Sequence, residues 1–245
     1  YGAGRPDAEG IRACARLKDG VAFLSAERVW AEMKKLFSAP DPSRAILWMR
    51  QTGVLTLVLP ETEKWGIDAI HGLVAAEQAL GWPVDPMTRL ASILPPDALR
   101  IKALGSRLRM SKAETLRLAD WASADAASAD RSEAALAREL YRRGADGPRD
   151  RLKIALSGAR ERAVHDAAAM AAAAGLGRQL RFLEGWTRPR FPVSGRDLEE
   201  IGLSSGPKMG ELLKALETEW IAGGFTADRD ALMVRAAELA KGQGL

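Results

Sequence analysis

Hydrophobic residues recur along this chain at intervals of three and four positions, the spacing that places side chains on one face of an α-helix. Two stripes show the spacing most clearly: Val29, Met33, Leu36 and Phe37 in the first, and Met209, Leu212, Leu213, Leu216, Trp220 and Ile221 in the second. Polar residues fill the intervening positions, so both segments are predicted to be amphipathic helices that bury one face.

Capping and breaking residues divide the rest of the chain into further helices. Asp7 and Ser25 are good N-cap residues, and Ser111-Lys-Ala-Glu114 spells a capping box. Gly53 and Gly81 are suited to end helices. The predicted helices cover about residues 7–17, 25–37, 42–52, 67–80, 111–121, 131–142, 149–156, 159–174 and 177–185, with a short one after Pro95-Pro96 and another starting at Pro207.

Composition agrees with a helical protein. Of the 245 residues, 47% are hydrophobic, with alanine and leucine dominant and the residue types that favour strands scarce. The chain is predicted to be all-α. No apolar run approaches the roughly 20 residues that span a bilayer, so no membrane association is expected. A single cysteine, Cys14, excludes an internal disulfide framework and is interpreted as a small core residue, which fits a cytoplasmic protein.

Positive charge is concentrated in the middle of the chain. Residues 89–117 carry seven Lys/Arg against two acids, and residues 138–190 carry twelve against six, although the whole chain has a net charge of only +4. One interpretation is a localised positive surface that holds the phosphates of a polyanion. The alternative is a set of solvated helix faces with no binding role.

The residue patterns of an active site are largely missing. His165-Asp166, with His71 as the other histidine, could start a divergent His-Asp phosphohydrolase site, but more ligands would be needed. Asp228-Arg-Asp230 has the spacing of a metal-binding aspartate pair, yet it lies at a predicted helix start, where acids complement the helix dipole. No catalytic residue and no metal ligand is therefore assigned in this chain.

The segment Ser194–Leu213 has a pattern of its own. Ser194 can cap a short helix that Gly202 ends, and Gly206-Pro207 opens the next helix. Because Gly206 and Gly210 leave the backbone open near a helix N-terminus, the segment could clamp a phosphate backbone, with Lys208 adding charge. Equally, the glycines could serve only to let helices pack closely.

Several segments, in this order along the chain, resemble the C-terminal half of bacterial tRNA nucleotidyltransferases, the CCA-adding enzymes, and the related bacterial poly(A) polymerases. Leu24–Phe37 resembles the last motif of that family, on a helix of its neck. Pro42–Glu61, with Met49-Arg-Gln-Thr-Gly53 and Leu59-Pro-Glu61, resembles the RNA-binding body domain. Leu108–Glu114 is similar to a later basic helix start of that domain, and Ser194–Leu213 is similar to the tail.

The resemblance implies an elongated helical array whose catalytic α/β head is absent. Expected domains are a neck remnant at 1–37, an RNA-binding body at 38–122, a helical extension at 123–186 and a tail at 187–245. The first residue is Tyr1, so the chain is interpreted as a fragment cut within the neck. The missing head would carry a Gly-rich loop, a metal-binding aspartate pair and the residues that select CTP or ATP. Mg²⁺ is expected for that parent enzyme, and no cofactor for this chain.

The implied function is to hold the acceptor and T arms of tRNA by phosphate contacts while the head adds the 3′-CCA nucleotides. Candidate RNA-binding residues are Arg107, Arg109 and Lys112, chosen from charge, and Ser194, Gly195, Gly206, Pro207, Lys208 and Gly210, which match the tail. Glu27, Arg28 and Glu32 match the neck motif, whose implied role is to brace the nucleotide-recognising helix of the head.

Three alternatives stay open at this point. A poly(A) polymerase part would share the same helical features, because the nucleotide-selecting residues lie outside the chain. A divergent phosphohydrolase would use the two histidines. A helical protein-interaction module would make the basic segments incidental.

Overall fold

The computed structural model describes residues 6–200 and 202–242. Within these ranges the chain forms α-helices and two short 3₁₀ helices and contains no β-strand, which confirms the predicted all-α class. The α-helices are α1 (Ala8–Leu17), α2 (Ala26–Phe37), α3 (Ser43–Thr52), α4 (Val54–Val58), α5 (Ala69–Leu80), α6 (Pro86–Ser92), α7 (Ala98–Arg107), α8 (Lys112–Ser123), α9 (Glu133–Arg143), α10 (Asp146–Arg162), α11 (Ala167–Gly185), α12 (Gly195–Glu200), α13 (Pro207–Ala222) and α14 (Arg229–Gly242). The 3₁₀ helices are Lys18–Phe23 and Pro60–Thr62.

Helix ends follow the local chemistry of the sequence. Asp7, Ser25 and Ser111 each accept a backbone N–H of the first helical turn, and Ser111 forms the full capping box with Glu114. Gly53 ends α3 with φ +78°, in the left-handed region that glycine reaches without strain. These boundaries needed only local interactions, which is why the sequence predicted them.

The chain divides into two compact units. The first comprises Tyr1–Arg131 and Arg143–Glu184, and the second comprises Ser132–Arg142 and Gly185–Leu245. In the first unit the apolar faces of α2 to α8 meet in one core, whose largest members include Trp30, Phe37, Leu90, Ile93 and Trp121. Burial of such side chains is the main favourable contribution to folding.

The second unit has its own core, built from α9, α12, α13 and α14. The predicted stripe of α13 is buried, with Leu212 and Leu216 fully enclosed. Trp220 lies 5.6 Å from Tyr141, 5.3 Å from Phe191 and 5.1 Å from Phe225, all measured between ring centroids. Near-perpendicular ring pairs of this kind are favourable beyond their buried area.

Two predicted helix breaks are wrong. The sequence suggested interruptions near residues 157–158 and 175–176, but α10 and α11 run through these positions without a break. At Gly175 the glycine serves packing: an added Cβ would lie 2.4 Å from the carbonyl oxygen of Ala129. The helix therefore keeps a glycine because a loop crosses it closely, not because the helix ends there.

The prediction that Cys14 belongs to the core is also wrong. Its thiol is free and the residue is exposed. Helix α1 has no buried residue at all, so none of its side chains contributes to the first core. One small residue on a short helix did not indicate which face of α1 would pack against the core.

The most deeply buried charge in the first unit is Arg89, on α6, which is only 1% exposed. Its guanidinium donates to the Glu77 carboxylate of α5, with Nη2 at 2.6 Å and Nε at 3.0 Å. The remaining donors bind the carbonyl oxygens of Phe37 at 2.8 Å, of Pro40 at 3.2 Å and of Ala39. All five N–H groups of the guanidinium are therefore paired, as burial of the charge requires.

Helix α2 is also held along its length by Glu114, the capping-box acid of α8. The Glu114 carboxylate accepts Nε1 of Trp30 at 3.2 Å, Nζ of Lys34 at 2.9 Å and the backbone N–H of Ser111 at 2.9 Å. Burial by itself would raise the pKa of Glu114. The hydrogen bonds from Lys34, Ser111 and Trp30 outweigh that effect and lower the pKa to about 2.

Replacing Glu77 with Gln should destabilise the first unit by about 3–5 kcal/mol, because Arg89 would stay buried without a counter-charge. Urea denaturation at neutral pH measures the loss. Glu32→Gln is the matched control, since Glu32 pairs with Lys35 at 2.6 Å on the surface, where both side chains are more than half exposed. The control should cost less than about 1 kcal/mol, and equal losses in the two variants would contradict the assigned role of the buried pair.

The pH dependence of stability should report Glu114. A carboxyl with a lowered pKa stabilises the folded state above its ordinary value of 4.5, and this contribution is lost as the pH falls toward about 2. The melting temperature of Glu114→Gln should therefore lie below that of the unmodified chain at pH 6, and the gap should narrow steadily down to pH 2.5. Glu63→Gln, at an exposed carboxylate, should keep a constant and small difference; a constant gap for Glu114→Gln would refute the assignment.

Candidate nucleic-acid interface

The neck-motif residues lie on the surface of α2. Glu27, Arg28 and Glu32 are all exposed, and the Glu27 carboxylate lies 3.5 Å from Nε of Arg109. Arg28 and Glu32 border an apolar cleft of about 320 Å³. Next to it, Phe23 is 90% exposed. This face therefore combines exposed apolar side chains with charges at its border, which is typical of a surface that contacts another protein element.

Arg107 is less available for phosphate than its sequence position indicated. Nη2 donates to both carboxylate oxygens of Glu61 at 2.9 Å, and Nη1 donates to the carbonyl oxygen of Val58 at 2.9 Å. Arg109 is 70% exposed and has φ +51°, and Lys112 is exposed at the first position of α8. The three candidates thus lie near one helix junction, but only Arg109 and Lys112 present their charge to solvent without a bidentate partner.

Two more cations from the basic segment 89–117 are also engaged. Arg89 is buried and donates to Glu77. Arg117 donates to the Asp150 carboxylate at 3.1 Å and also pairs with Asp85, the N-cap of α6. Burial raises the pKa of Asp150 despite the hydrogen bonds from Arg117 and Thr88. Much of the positive charge that the sequence concentrates at 89–117 therefore stabilises the fold instead of facing solvent.

In the tail, Ser194 and Asp197 satisfy each other. The backbone N–H and hydroxyl of Ser194 donate to Oδ2 of Asp197 at 2.7 and 2.6 Å. Arg229 donates to the other carboxylate oxygen at 2.6 Å. The Ser194 hydrogen bond, followed by that of Arg229, lowers the pKa of Asp197 to about 2. The Ser194 hydroxyl proton is therefore already used within the chain.

The tail glycines divide into two kinds. A Cβ added at Gly195 would contact Sδ of Met209 at 3.4 Å, so this glycine faces the core. At Gly206 and Gly210 an added Cβ would meet nothing within 4 Å. Close packing within the chain therefore does not explain these two glycines. They leave bare backbone on the surface beside Lys208, which is exposed in the first turn of α13.

Two of the three aspartates considered for catalysis, Asp166 and Asp228, have structural roles. Oδ1 of Asp166 accepts the backbone N–H of Ala168 at 2.8 Å, and Oδ1 of Asp228 accepts that of Ala231 at 2.9 Å, so each caps a helix. His71 and His165 are both exposed. Across residues 6–200 and 202–242, no group of three His, Cys, Asp or Glu side chains is placed to hold a metal ion.

A further set of cations went unassigned in the sequence. Arg160 of α10 and Arg178 and Arg181 of α11 are exposed and line one cleft of the first unit. The charge excess at residues 138–190 was visible in the sequence. The sequence did not show that α10 and α11 face each other across a cleft, because that arrangement depends on how the two helices pack. In the described part of the chain, no helix is long and apolar enough to cross a membrane.

Comparison with known proteins gives matches of two kinds. Residues 7–65 match the family described as "Probable RNA and SrmB- binding site of polymerase A". The chain is also 27% identical over 237 residues to the mitochondrial CCA tRNA nucleotidyltransferase 1 of Mus musculus, a match that covers 94% of the chain and 50% of the mouse protein. The chain thus spans half the length of this relative.

Shorter matches are closer in sequence. The Homo sapiens CCA tRNA nucleotidyltransferase 1 is 39% identical over 54 residues, which cover 22% of the chain and 12% of that protein. The Multifunctional CCA protein of Vibrio vulnificus is 40% identical over 84 residues, which cover 29% of the chain and 21% of that protein. The resemblance noted in the sequence is thereby confirmed: the chain is similar to CCA-adding tRNA nucleotidyltransferases over nearly its whole length.

Proposed function

We propose that this chain is the RNA-holding part of a CCA-adding tRNA nucleotidyltransferase. The observation that carries the proposal is the similarity to a CCA tRNA nucleotidyltransferase along 94% of the chain. The family match at residues 7–65, described as an RNA-binding site, supports it from an independent direction. In this role the chain binds the acceptor and T arms of tRNA and fixes where the 3′ end lies.

Recognition would depend on shape and phosphate positions. Side chains cannot read the deep, narrow major groove of an RNA duplex, so proteins contact its backbone. The open backbone at Gly206 and Gly210 lets a sugar-phosphate strand approach α13 closely, and Lys208 adds a positive charge there. Arg109 and Lys112 would add phosphate contacts in the first unit.

Nucleotide addition is assigned to a separate head domain. In this proposal the steps that use Mg²⁺ with CTP or ATP belong to the head. The exposed apolar face around Phe23 and the neck-motif residues Arg28 and Glu32 would receive the head. Holding the RNA and forming the phosphodiester bond would thus be divided between two parts of one protein.

A poly(A) polymerase part is the second candidate function. It is favoured by the description of the family that residues 7–65 match, which names polymerase A. Both candidates require RNA binding by this chain and differ in the nucleotides that the head selects. The similarity to CCA enzymes along nearly the whole chain favours CCA addition.

Binding of tRNA at several salt concentrations tests the proposal. About six phosphate contacts would give a slope of about −5 in a plot of log affinity against log salt. Fluorescence anisotropy of labelled tRNA measures it. No binding at low salt, or binding that does not weaken with salt, would leave a protein-interaction module as the better explanation.

Gly210→Ala should have opposite effects on the stability of the fold and on the affinity for tRNA. The substitution should stabilise α13 by about 0.5–1 kcal/mol, because alanine favours an exposed helix position that glycine disfavours. It should nevertheless weaken tRNA binding about fivefold, equivalent to about 1 kcal/mol, by blocking close contact of the strand. Thr218→Ala is the matched control, since it places alanine at another exposed position of α13 and should leave tRNA affinity unchanged. Unchanged affinity in both variants would remove Gly210 from the interface.

A further inference from the structure

One cleft of the first unit has no role in the fold or in the proposed tail contacts. Its volume is about 570 Å³, and it lies between α10, α11 and the end of α5. Its lining includes Leu156, Ala173, Ala174, Gly177 and Leu180. Two alanines and one glycine line the α11 side, and their small size leaves the space between the helices open.

Three arginines line the same cleft. Arg160 comes from α10, whereas Arg178 and Arg181 are three residues apart on α11 and so lie on one face of that helix. Among the described residues, none of the three has a carboxylate within 4.0 Å. Glu184 is the acid in the lining, so the cleft carries an excess of two positive charges. Arg107 and Arg117, by contrast, are held in ion pairs.

The wall at the end of α5 is apolar and aromatic. Leu80 and Trp82 line it, and both are partly accessible to solvent. Nζ of Lys153 lies 5.0 Å from the centroid of the Trp82 ring, which places a further positive charge beside the cleft. Aromatic and cationic groups side by side are the combination that proteins use for single-stranded nucleic acid, in which bases stack and phosphates bind cations.

The dimensions restrict the ligand further. A volume of this size is typical of sites for a small molecule or one monomer of a polymer. A duplex cannot enter it, whereas one unpaired nucleotide can, with its neighbouring phosphates outside at the arginines. Arginine also offers the paired N–H donors that match phosphate oxygens.

We propose that this cleft binds an unpaired nucleotide of the RNA, with the flanking phosphates held by Arg160, Arg178 and Arg181 and the base against Trp82 and Leu80. The proposal rests on the proposed RNA-holding function and adds a second contact site, on the first unit and separate from the tail glycines. It predicts a preference for RNA that carries single-stranded nucleotides over a fully paired duplex of equal length.

The test uses the full chain with Arg178→Gln and Arg181→Gln combined. Each phosphate contact to a single strand is worth about fivefold in affinity at about 0.1 M salt, since the salt slope is about 0.7 per contact. The double variant should therefore bind a single-stranded RNA oligonucleotide about 25-fold more weakly, and its salt slope should fall by about 1.4. Binding to a fully paired duplex should change much less.

The matched control is Arg100→Gln combined with Lys102→Gln, which removes the same two charges from the exposed surface of α7. Both double variants should keep the circular dichroism spectrum and melting temperature of the unmodified chain, because all four side chains are exposed. Trp82→Leu tests the wall without changing charge, and it should weaken the single strand more than the duplex.

The outcomes separate the two proposals. If the unmodified chain binds tRNA with the expected salt dependence but the cleft variant behaves like the α7 control, the cleft proposal is overturned and the RNA-holding function stands. Equal loss of single strand and duplex in the cleft variant also overturns it, because that is a general effect of charge. If the unmodified chain binds no RNA, the proposed function falls and the cleft proposal with it.

Discussion

The buried pair between Arg89 and Glu77 sets the arrangement of the first unit. A guanidinium that is 1% exposed can persist only if each N–H group finds an acceptor, and here the carboxylate and three backbone carbonyls supply them. Those carbonyls belong to residues 37, 39 and 40, at the end of α2 and in the turn that follows it. The buried arginine therefore joins α5 and α6 to the end of the neck-motif helix, and a turn that withdrew these carbonyls would leave buried N–H groups of Arg89 without acceptors.

Helix α2 is consequently fixed from two directions. Arg89 holds its C-terminal end, and Glu114 of α8 receives hydrogen bonds from Trp30 and Lys34 along its length. Arg28 and Glu32 lie in solvent on the opposite face of α2, and Glu27 is exposed beside Arg109. A rigidly held helix that exposes charged and apolar groups is suited to position a second domain, which agrees with the proposed contact of this face with a catalytic head.

Five arginines of the first unit fall into two groups according to the side chains around them. Arg89 and Arg117 are held by carboxylates within the first unit, where their role is to satisfy neighbouring polar groups. Arg160, Arg178 and Arg181 lie around an open cleft. A count of charges along the sequence does not distinguish these five arginines. Under the cleft proposal Arg160, Arg178 and Arg181 meet RNA whereas Arg89 and Arg117 do not, because a phosphate that displaces a carboxylate from an arginine leaves that acid unpaired.

The sequence by itself determined what depends on neighbouring residues. Helical periodicity, the capping box at Ser111, the left-handed glycine Gly53 and the apolar stripe of α13 were all predictable, because caps, turns and one-sided burial act over a few positions. Only the tertiary structure decided that α11 continues through Gly175, that Arg89 is buried and that Gly206 and Gly210 face open space. Each of these facts depends on which distant group lies opposite, and local patterns do not specify that.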